Sequence, residues 1–310
     1  MQSPGNFQGK EGIPYRTLGK TGEKVSMVGL GGFHIVKKNT EDESIKIVRT
    51  AIDNGINFVD NCWDYNNGIS EIRMGKALRD GYRQKAFLMT KIDAQTGKAA
   101  IEQLDESLQR LQTDTIDLLQ FHEVIRMTDP ERIFGAGGGM EAMLQAKKAG
   151  KIRYIGFTGH KSPDIHLKML QTAKEHGFMF DAVQMPLNVM DAQFESFEKK
   201  VLPLLTENNI GAIAMKSIGN NIFLKSNVVT AKECLMYTMS LPVSTVVTGC
   251  ESIDILQQAI DLARNFVPMS EETRKAFIDR TAAAAAKGEY EIYKTTTIFD
   301  GTSRSPQWLG

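Results

Sequence analysis

Asp60, Tyr65, Lys91 and His122 are the residues of this chain whose types and spacing point to chemistry. Three of them stand at the ends of short apolar runs that read as β-strands: Asp60 after residues 56–59, Lys91 after residues 86–90 and His122 after residues 116–121. Tyr65 lies in the segment just beyond Asp60. A free phenol titrates near pH ~10, too high for an efficient acid or base at neutral pH. A neighbouring ammonium stabilises phenolate, so Lys91 is expected to lower the value for Tyr65. Asp60 would pair with Lys91 so that a buried ammonium is not left alone. His122 would donate a hydrogen bond to a substrate oxygen as negative charge develops on it. Taken singly, Asp60 reads as a loop cap, Lys91 as a solvated loop end, His122 as a hydrogen-bonded packing residue and Tyr65 as a rim packer. Their joint order at successive strand ends reads as a site that protonates a carbonyl.

The elements that must position them alternate along the chain. Apolar runs at 25–30, 56–60, 86–91, 116–121, 154–157, 181–185, 211–215 and 245–247 read as strands. Between and after them, helical periodicity is expected over 41–54, 71–78, 99–111, 140–149, a segment from 163, then 197–208, 231–240 and 253–266. Strands that alternate with helices pair in parallel through right-handed crossovers. Eight such units in about 240 residues imply a closed (β/α)8 TIM barrel, an α/β fold. The expected boundaries are a single barrel domain at about 14–265 and a C-terminal extension at about 267–310. In the extension, Ser270 caps a helix to 287, and the loop-like stretch 295–310 either covers the barrel or frays. A doubly wound nucleotide-binding fold would need G-x-G-x-x-G between its first strand and helix. Gly29-Leu30-Gly31-Gly32-Phe33-His34 has His34 in the last glycine position, so this cluster and Gly135–Gly139 are both read as loop.

Composition bounds the remaining classes. The 310 residues carry 37 Lys and Arg against 37 Asp and Glu, a balance that points away from nucleic acid. Without an apolar run of roughly 20 residues, no membrane span is expected. The polar, glycine-rich start, MQSPGNFQGKEG, lacks the layout of a signal peptide. Three scattered cysteines, Cys62, Cys234 and Cys250, fit reduced thiols in a cytoplasmic protein better than a disulfide framework or a metal site. No metal is expected, and the oligomeric state is left open.

An ordered set of motifs resembles the aldo-keto reductases over roughly residues 14–265. It opens with Leu18-Gly19-Lys20-Thr21-Gly22 and Val28-Gly29-Leu30-Gly31-Gly32, and continues with Asn57-Phe58-Val59-Asp60, Trp63-Asp64-Tyr65, Ser70-Glu71 and Gly75-Lys76-Ala77-Leu78. Thr90-Lys91, Asp117 through His122, and Gly150-Lys151-Ile152-Arg153-Tyr154-Ile155-Gly156-Phe157 follow in the same order. The resemblance implies NAD(P)H-dependent reduction of an aldehyde or ketone, a small-molecule substrate, with Tyr65 as proton donor, Lys91 and Asp60 as its tuning pair and His122 as orienter.

It also implies a cofactor cradle. Met215, Lys216, Ser217, Ile218 and Gly219 follow the seventh strand, and Gly249 and Ser252 follow the eighth, where such barrels bind phosphate. Gln184 would bind the nicotinamide carboxamide together with Thr158 and Gly159, which stand where many relatives carry Ser-Asn. Gln258 matches a position for the adenosine end, and Gly32, Phe33 and Asp60 border the cradle. Ile255 and Ala259 replace the Arg and Asn common in relatives, so NADP(H) is the expected cofactor with NAD(H) possible and Lys216 as the substitute cation. Trp63, His34 and the loop 123–139 are expected to border the substrate. The alternatives are an alcohol or sugar dehydrogenase running oxidatively and a nicotinamide-binding regulatory subunit with little turnover.

Overall fold

The structure, a computed structural model, describes residues 7–310. Residues 1–6, the first part of the polar N-terminal stretch, lie outside the described residues. Eight parallel strands close into a barrel: β1 (Val28–Gly31), β2 (Phe58–Asp60), β3 (Phe87–Ile92), β4 (Ile116–Phe121), β5 (Ile152–Thr158), β6 (Ala182–Pro186), β7 (Gly211–Met215) and β8 (Thr245–Gly249). Each pairs with its sequence neighbours, and β8 closes on β1 with Gly249 opposite Gly31.

The helices between them are α1 (Glu41–Asp53), α2 (Ile69–Ala77), α3 (Gly97–Leu111), α4 (Gly139–Lys148), α5 (Pro163–Glu175), α6 (Leu202–Glu207), α7 (Ala231–Met239) and α8 (Ile253–Arg264). Their starts are locally encoded. Thr40 and Glu43 form a reciprocal capping box at α1, as Thr230 and Glu233 do at α7. The amphipathic pattern then buries one stripe, as Ala100, Leu104 and Leu111 do on α3.

Three expectations are corrected. The run at 25–30 is two strands, because Lys24–Ser26 pairs back on Pro14–Thr17 in a small antiparallel sheet before β1 begins. Leu18 and Val25 thereby plug the base of the barrel against Phe58, Phe87, Met89, Leu118 and Ile213. Each such fully buried side chain contributes roughly 1.5–3 kcal/mol. The helix expected over 197–208 divides into Phe197–Lys200 and α6, with Pro203 inside the first turn of the second. That position suits proline because the missing N–H has no helical partner there.

The first glycine cluster is not loop, whereas Gly135 to Gly138 are loop as expected. Gly29 and Gly31 lie within β1, where a side chain at Gly29 would meet the Phe58 ring at 2.8 Å, and Gly32 opens the short helix Gly32–Val36. Gly135 to Gly138 turn between Asp129–Phe134 and α4, and Gly138 bridges to Thr96.

The extension folds back over the barrel mouth. Its long helix, α9 (Glu271–Ala285), is capped by Ser270 as expected. The turn Ile292–Thr295 leads into the stretch expected to be loop-like, which contains the turns Gly301–Arg304 and Pro306–Leu309 and covers the rim. Glu123 accepts hydrogen bonds from the Gly301 and Thr302 amides at 2.9 and 2.7 Å, and the Leu309 carbonyl accepts from Gln95 N–H. Among the described residues no helix is long and apolar enough to cross a membrane.

Candidate active site

Strand alternation builds the site. On β2, Phe58 and Asp60 share the inward face, as do Phe87, Met89 and Lys91 on β3, and Ala182 and Gln184 on β6. Each strand thus runs from apolar residues at the barrel base to polar ones at the mouth. That mouth opens into a cavity of about 1040 Å3.

At its floor Lys91, 1% exposed, donates to Asp60 Oδ1 at 2.6 Å, to the Asn61 carbonyl at 2.7 Å and to Tyr65 Oη at 3.4 Å. Gln184 Nε2 donates to the other Asp60 oxygen at 2.6 Å. All four expected catalytic residues line the cavity. The expected effect on the phenol is reversed, however. Burial, followed by the charge of Asp60, pushes Tyr65 well above 10 and keeps it protonated. Lys91 is too fully neutralised by Asp60 to outweigh them.

His122 stands beside Tyr65, ring centroids 5.8 Å apart. Its Nδ1 lies 2.9 Å from Asp93 Oδ1, 3.2 Å from Cys62 Sγ and 3.7 Å from Asp64 Oδ1, while Nε2 makes no hydrogen bond among the described residues. Burial alone would lower the imidazole, but Asp93 and Asp64 outweigh it and raise His122 to about 9. Burial in turn pushes Asp93 up to about 6 against the pull of His122. Between those values the pair is imidazolium and carboxylate. One ligand atom from each of Cys62, Asp64, Asp93 and His122 lies within 4.8 Å of the others. A cation there would have to displace protons, since burial holds the thiol protonated and the carboxylates hold the imidazolium.

The expected cradle residues divide. Phe33, Thr158, Gly159, Gln184, Met215 and Lys216 line the cavity, as do Ser217, Ile218, Gly219, Gly249 and Gln258. Gly32 and Ser252 do not: Gly32 packs on the Asp60 carbonyl, where a Cβ would lie at 2.6 Å, and Ser252 caps α8 by accepting from the Ile255 amide. Gly219 has φ +57° and lies against Phe223, so it is glycine by necessity.

Lys216 is at the catalytic end. Its ammonium lies 4.6 Å from the Phe299 ring, burial lowers it to about 8, and its charged neighbours are Glu123, Lys91 and Asp60. Ile255 and Ala259, where relatives often carry Arg and Asn, line the same cavity from α8.

Phe33 and His34 occupy different surroundings. Phe33 packs edge-on against Tyr65, whereas His34 lies against Gly249 and reaches Asn220 in the loop after β7, among the cradle residues and not beside the phenol. Trp63 does not line the cavity. It is a rim residue pinned by Glu106, Arg110 and Trp308.

Several residues at the site were not anticipated. Asp93 is two positions beyond Lys91, and strand alternation was the available signal for it. Phe299 and Arg304 of the tail line the cavity, and Asp300 holds the cavity residue His160 at 3.0 Å. These had no local signal.

The fit to a dinucleotide is supported by two features. Gln184 Oε1 is buried without a hydrogen-bond partner in the cavity wall, a free acceptor for an amide N–H. The loops after β7 and β8 bring glycine backbone to the same cavity.

A closed parallel barrel with an acid, amine, phenol and imidazole at its mouth defines a class of protein, and comparison with known proteins agrees. The Aldo/keto reductase family model matches residues 27–236, and the chain belongs to that family of oxidoreductases. It is similar to the aldo-keto reductase YhdN of Bacillus subtilis, 29% identical over 66% of this chain and 62% of that protein. L-galactose dehydrogenase of Arabidopsis thaliana is 34% identical over 47% of this chain and 49% of that protein. The chain thus spans less than two thirds of either relative. The solved aldo-keto reductase AKR11C1 from Bacillus halodurans, in its holo form, shares the fold with a TM-score of 0.73 and 24% identity, covering 90% of this chain and 99% of that one.

Proposed function

We propose that this protein reduces a small aldehyde or ketone to an alcohol with NADPH, or NADH, as hydride source. The observation that carries this reading is the continuous contact from Asp60 through Lys91 to Tyr65, with His122 beside the phenol at the floor of one cavity. A bound nicotinamide cofactor would supply the hydride that no side chain can. Gln184, Lys216 and the loops after β7 and β8 would hold it. Tyr65 would give its proton to the carbonyl oxygen, while Lys91, paired with Asp60, would stabilise the phenolate left behind. His122 would donate from Nε2 to the same oxygen. The tail, through Phe299 and Arg304, would narrow the cavity on the substrate side. Three free thiols, Cys62, Cys234 and Cys250, support a cytoplasmic setting.

The test is fluorescence titration with NADPH and NADH, followed by turnover of 4-nitrobenzaldehyde by wild type and Tyr65→Phe. Micromolar binding is expected, with kcat reduced at least about a hundredfold in Tyr65→Phe and unchanged cofactor affinity. Wild-type kcat in that variant would remove Tyr65 as the acid. Binding of neither nucleotide would overturn the whole reading. Tight binding without turnover would favour the regulatory-subunit alternative. The similarity to L-galactose dehydrogenase favours a sugar as an oxidative substrate, which the same residues would serve in reverse.

A further inference from the structure

We propose that Asp93 is a positioning residue that makes His122 a charged donor. Its carboxylate holds a proton on Nδ1, so that the imidazolium presents Nε2–H to the substrate oxygen. The kinetic arm of this proposal rests on the reductase reading; the spectroscopic arm does not.

Asp93 is built for this contact and for little else. Its side chain is fully buried, and its Oδ1 lies 2.9 Å from His122 Nδ1. Its Oδ2 has no partner among the described residues, so the imidazole is the one counterion within ion-pairing distance. A buried carboxylate left without a counterion is costly, which makes the carboxylate–imidazolium arrangement favourable here. The backbone around it is held from outside the barrel. Gln103 on α3 accepts from the Asp93 and Ala94 amides at 2.8 and 2.9 Å and donates to the Trp308 carbonyl at 2.9 Å.

A neutral imidazole with hydrogen on Nδ1 would also satisfy Asp93, so the surrounding charges decide. From the segment after β2, His122 faces Cys62, Asp64 and Tyr65; Asp64 lies 3.7 Å from Nδ1, and the Cys62 thiol and Tyr65 phenol are neutral. From β3 comes Lys91, already paired with Asp60 at 2.6 Å, and from the residue just after the strand comes Asp93. On its own strand end, Glu123 is lowered against its burial, first by the facing His122 itself and further by the hydrogen bonds it accepts from the tail amides. Beyond Glu123 lie His160, which burial keeps neutral, and the partly neutralised Lys216. Three carboxylates thus act on one imidazole, and the cation wins. A charged donor makes a hydrogen bond roughly twice as strong as a neutral one. It would stabilise oxygen charge during reduction and assist a phenol that burial has made a weak acid.

The experiment uses protein carrying 15N-labelled histidine, with the five histidines resolved and His122 assigned through His122→Gln. Both ring nitrogens of His122 are expected to be protonated at pH 7.5. In parallel, kcat/KM for 4-nitrobenzaldehyde with saturating NADPH is followed from pH 6 to 10. Wild type is expected to lose activity with a midpoint near 9. Asp93→Asn should move that midpoint down by at least about one pH unit and lower kcat about tenfold, with NADPH affinity changed less than about twofold. Asp93→Glu should restore much of the wild-type midpoint. An unmoved midpoint in Asp93→Asn, or a neutral His122 at pH 7.5 in the wild-type spectrum, overturns the proposal. If Asp93→Asn does not fold, the wild-type spectrum decides alone. Absence of turnover in wild type would sink the reductase reading while leaving the spectrum to decide the state of His122.

Discussion

Lys294 in the tail is the perturbation with the largest expected consequence away from the catalytic residues. Its side chain is 1% exposed, and its ammonium donates to Asp191 Oδ1 at 2.6 Å and to the Phe194 carbonyl at 2.7 Å, with Glu291 Oε1 at 2.9 Å. Asp191 belongs to the loop after β6 and also accepts from the Phe197 and Glu198 amides. Lys294→Met would keep the apolar stem and leave two buried carboxyls facing each other. Removing one partner of a buried ionic set costs about 3–5 kcal/mol. At roughly 2.1 cal/mol/K per residue, a chain of 310 residues has an unfolding entropy near 0.65 kcal/mol/K, so Tm should fall by about 5–8 °C at pH 8.

The pH dependence carries a definite sign. Burial raises both carboxyls, Glu291 to about 7, despite the attraction of Lys294. A carboxyl whose folded value exceeds its unfolded one binds more protons in the folded state, so stability falls as pH rises between the two. Without the ammonium both values rise further, and the loss caused by Lys294→Met should be larger at pH 8 than at pH 5. Scanning calorimetry of wild type and variant at the two pH values measures it. A Tm change below about 2 °C at pH 8, or a larger loss at pH 5, would refute the reasoning.

Other outcomes are equally concrete. Lys216→Met should weaken NADPH and NADH alike, about tenfold each by fluorescence titration, because the ammonium is at the catalytic end; selective weakening of NADPH would place it at the 2′-phosphate instead. Glu123→Ala removes the acceptor for two tail amides and the Thr302 hydroxyl, costing about 1–3 kcal/mol locally. Proteolysis of the tail should then accelerate and KM rise; wild-type cleavage rates would contradict the anchoring role. Because His122 is raised to about 9, its stabilisation is complete below pH ~6.5 and is lost as pH rises from there through about 9. Urea unfolding should therefore show a wild-type advantage over His122→Asn that shrinks between pH 7 and 10, and a constant difference would exclude it.

Local patterns made much of the site legible before any tertiary contact was considered. Apolar runs followed by Asp60, Lys91 and His122 revealed strand ends, and alternation implied that the residues on β2 and β3 face inward. The charged partners of those residues were harder to read. Lys91 next to Tyr65 implied a lowered phenol, yet burial and Asp60 raise it, because the balance depends on how completely the barrel excludes water. Phe33 and His34 are adjacent in sequence, but the helical turn at Gly32–Val36 sends one toward Tyr65 and the other toward Asn220.

The sequence by itself determined the barrel and the four residues at its strand ends, because strand alternation, helix caps and apolar stripes act over a few residues, and its ordered motifs carried the resemblance to the family. Only the tertiary structure decided that Asp93 clasps His122, that Lys216 lies at the catalytic end and that the tail closes the rim on Glu123. Those contacts join groups far apart in the chain, and their energies depend on burial that exists only once the barrel has closed.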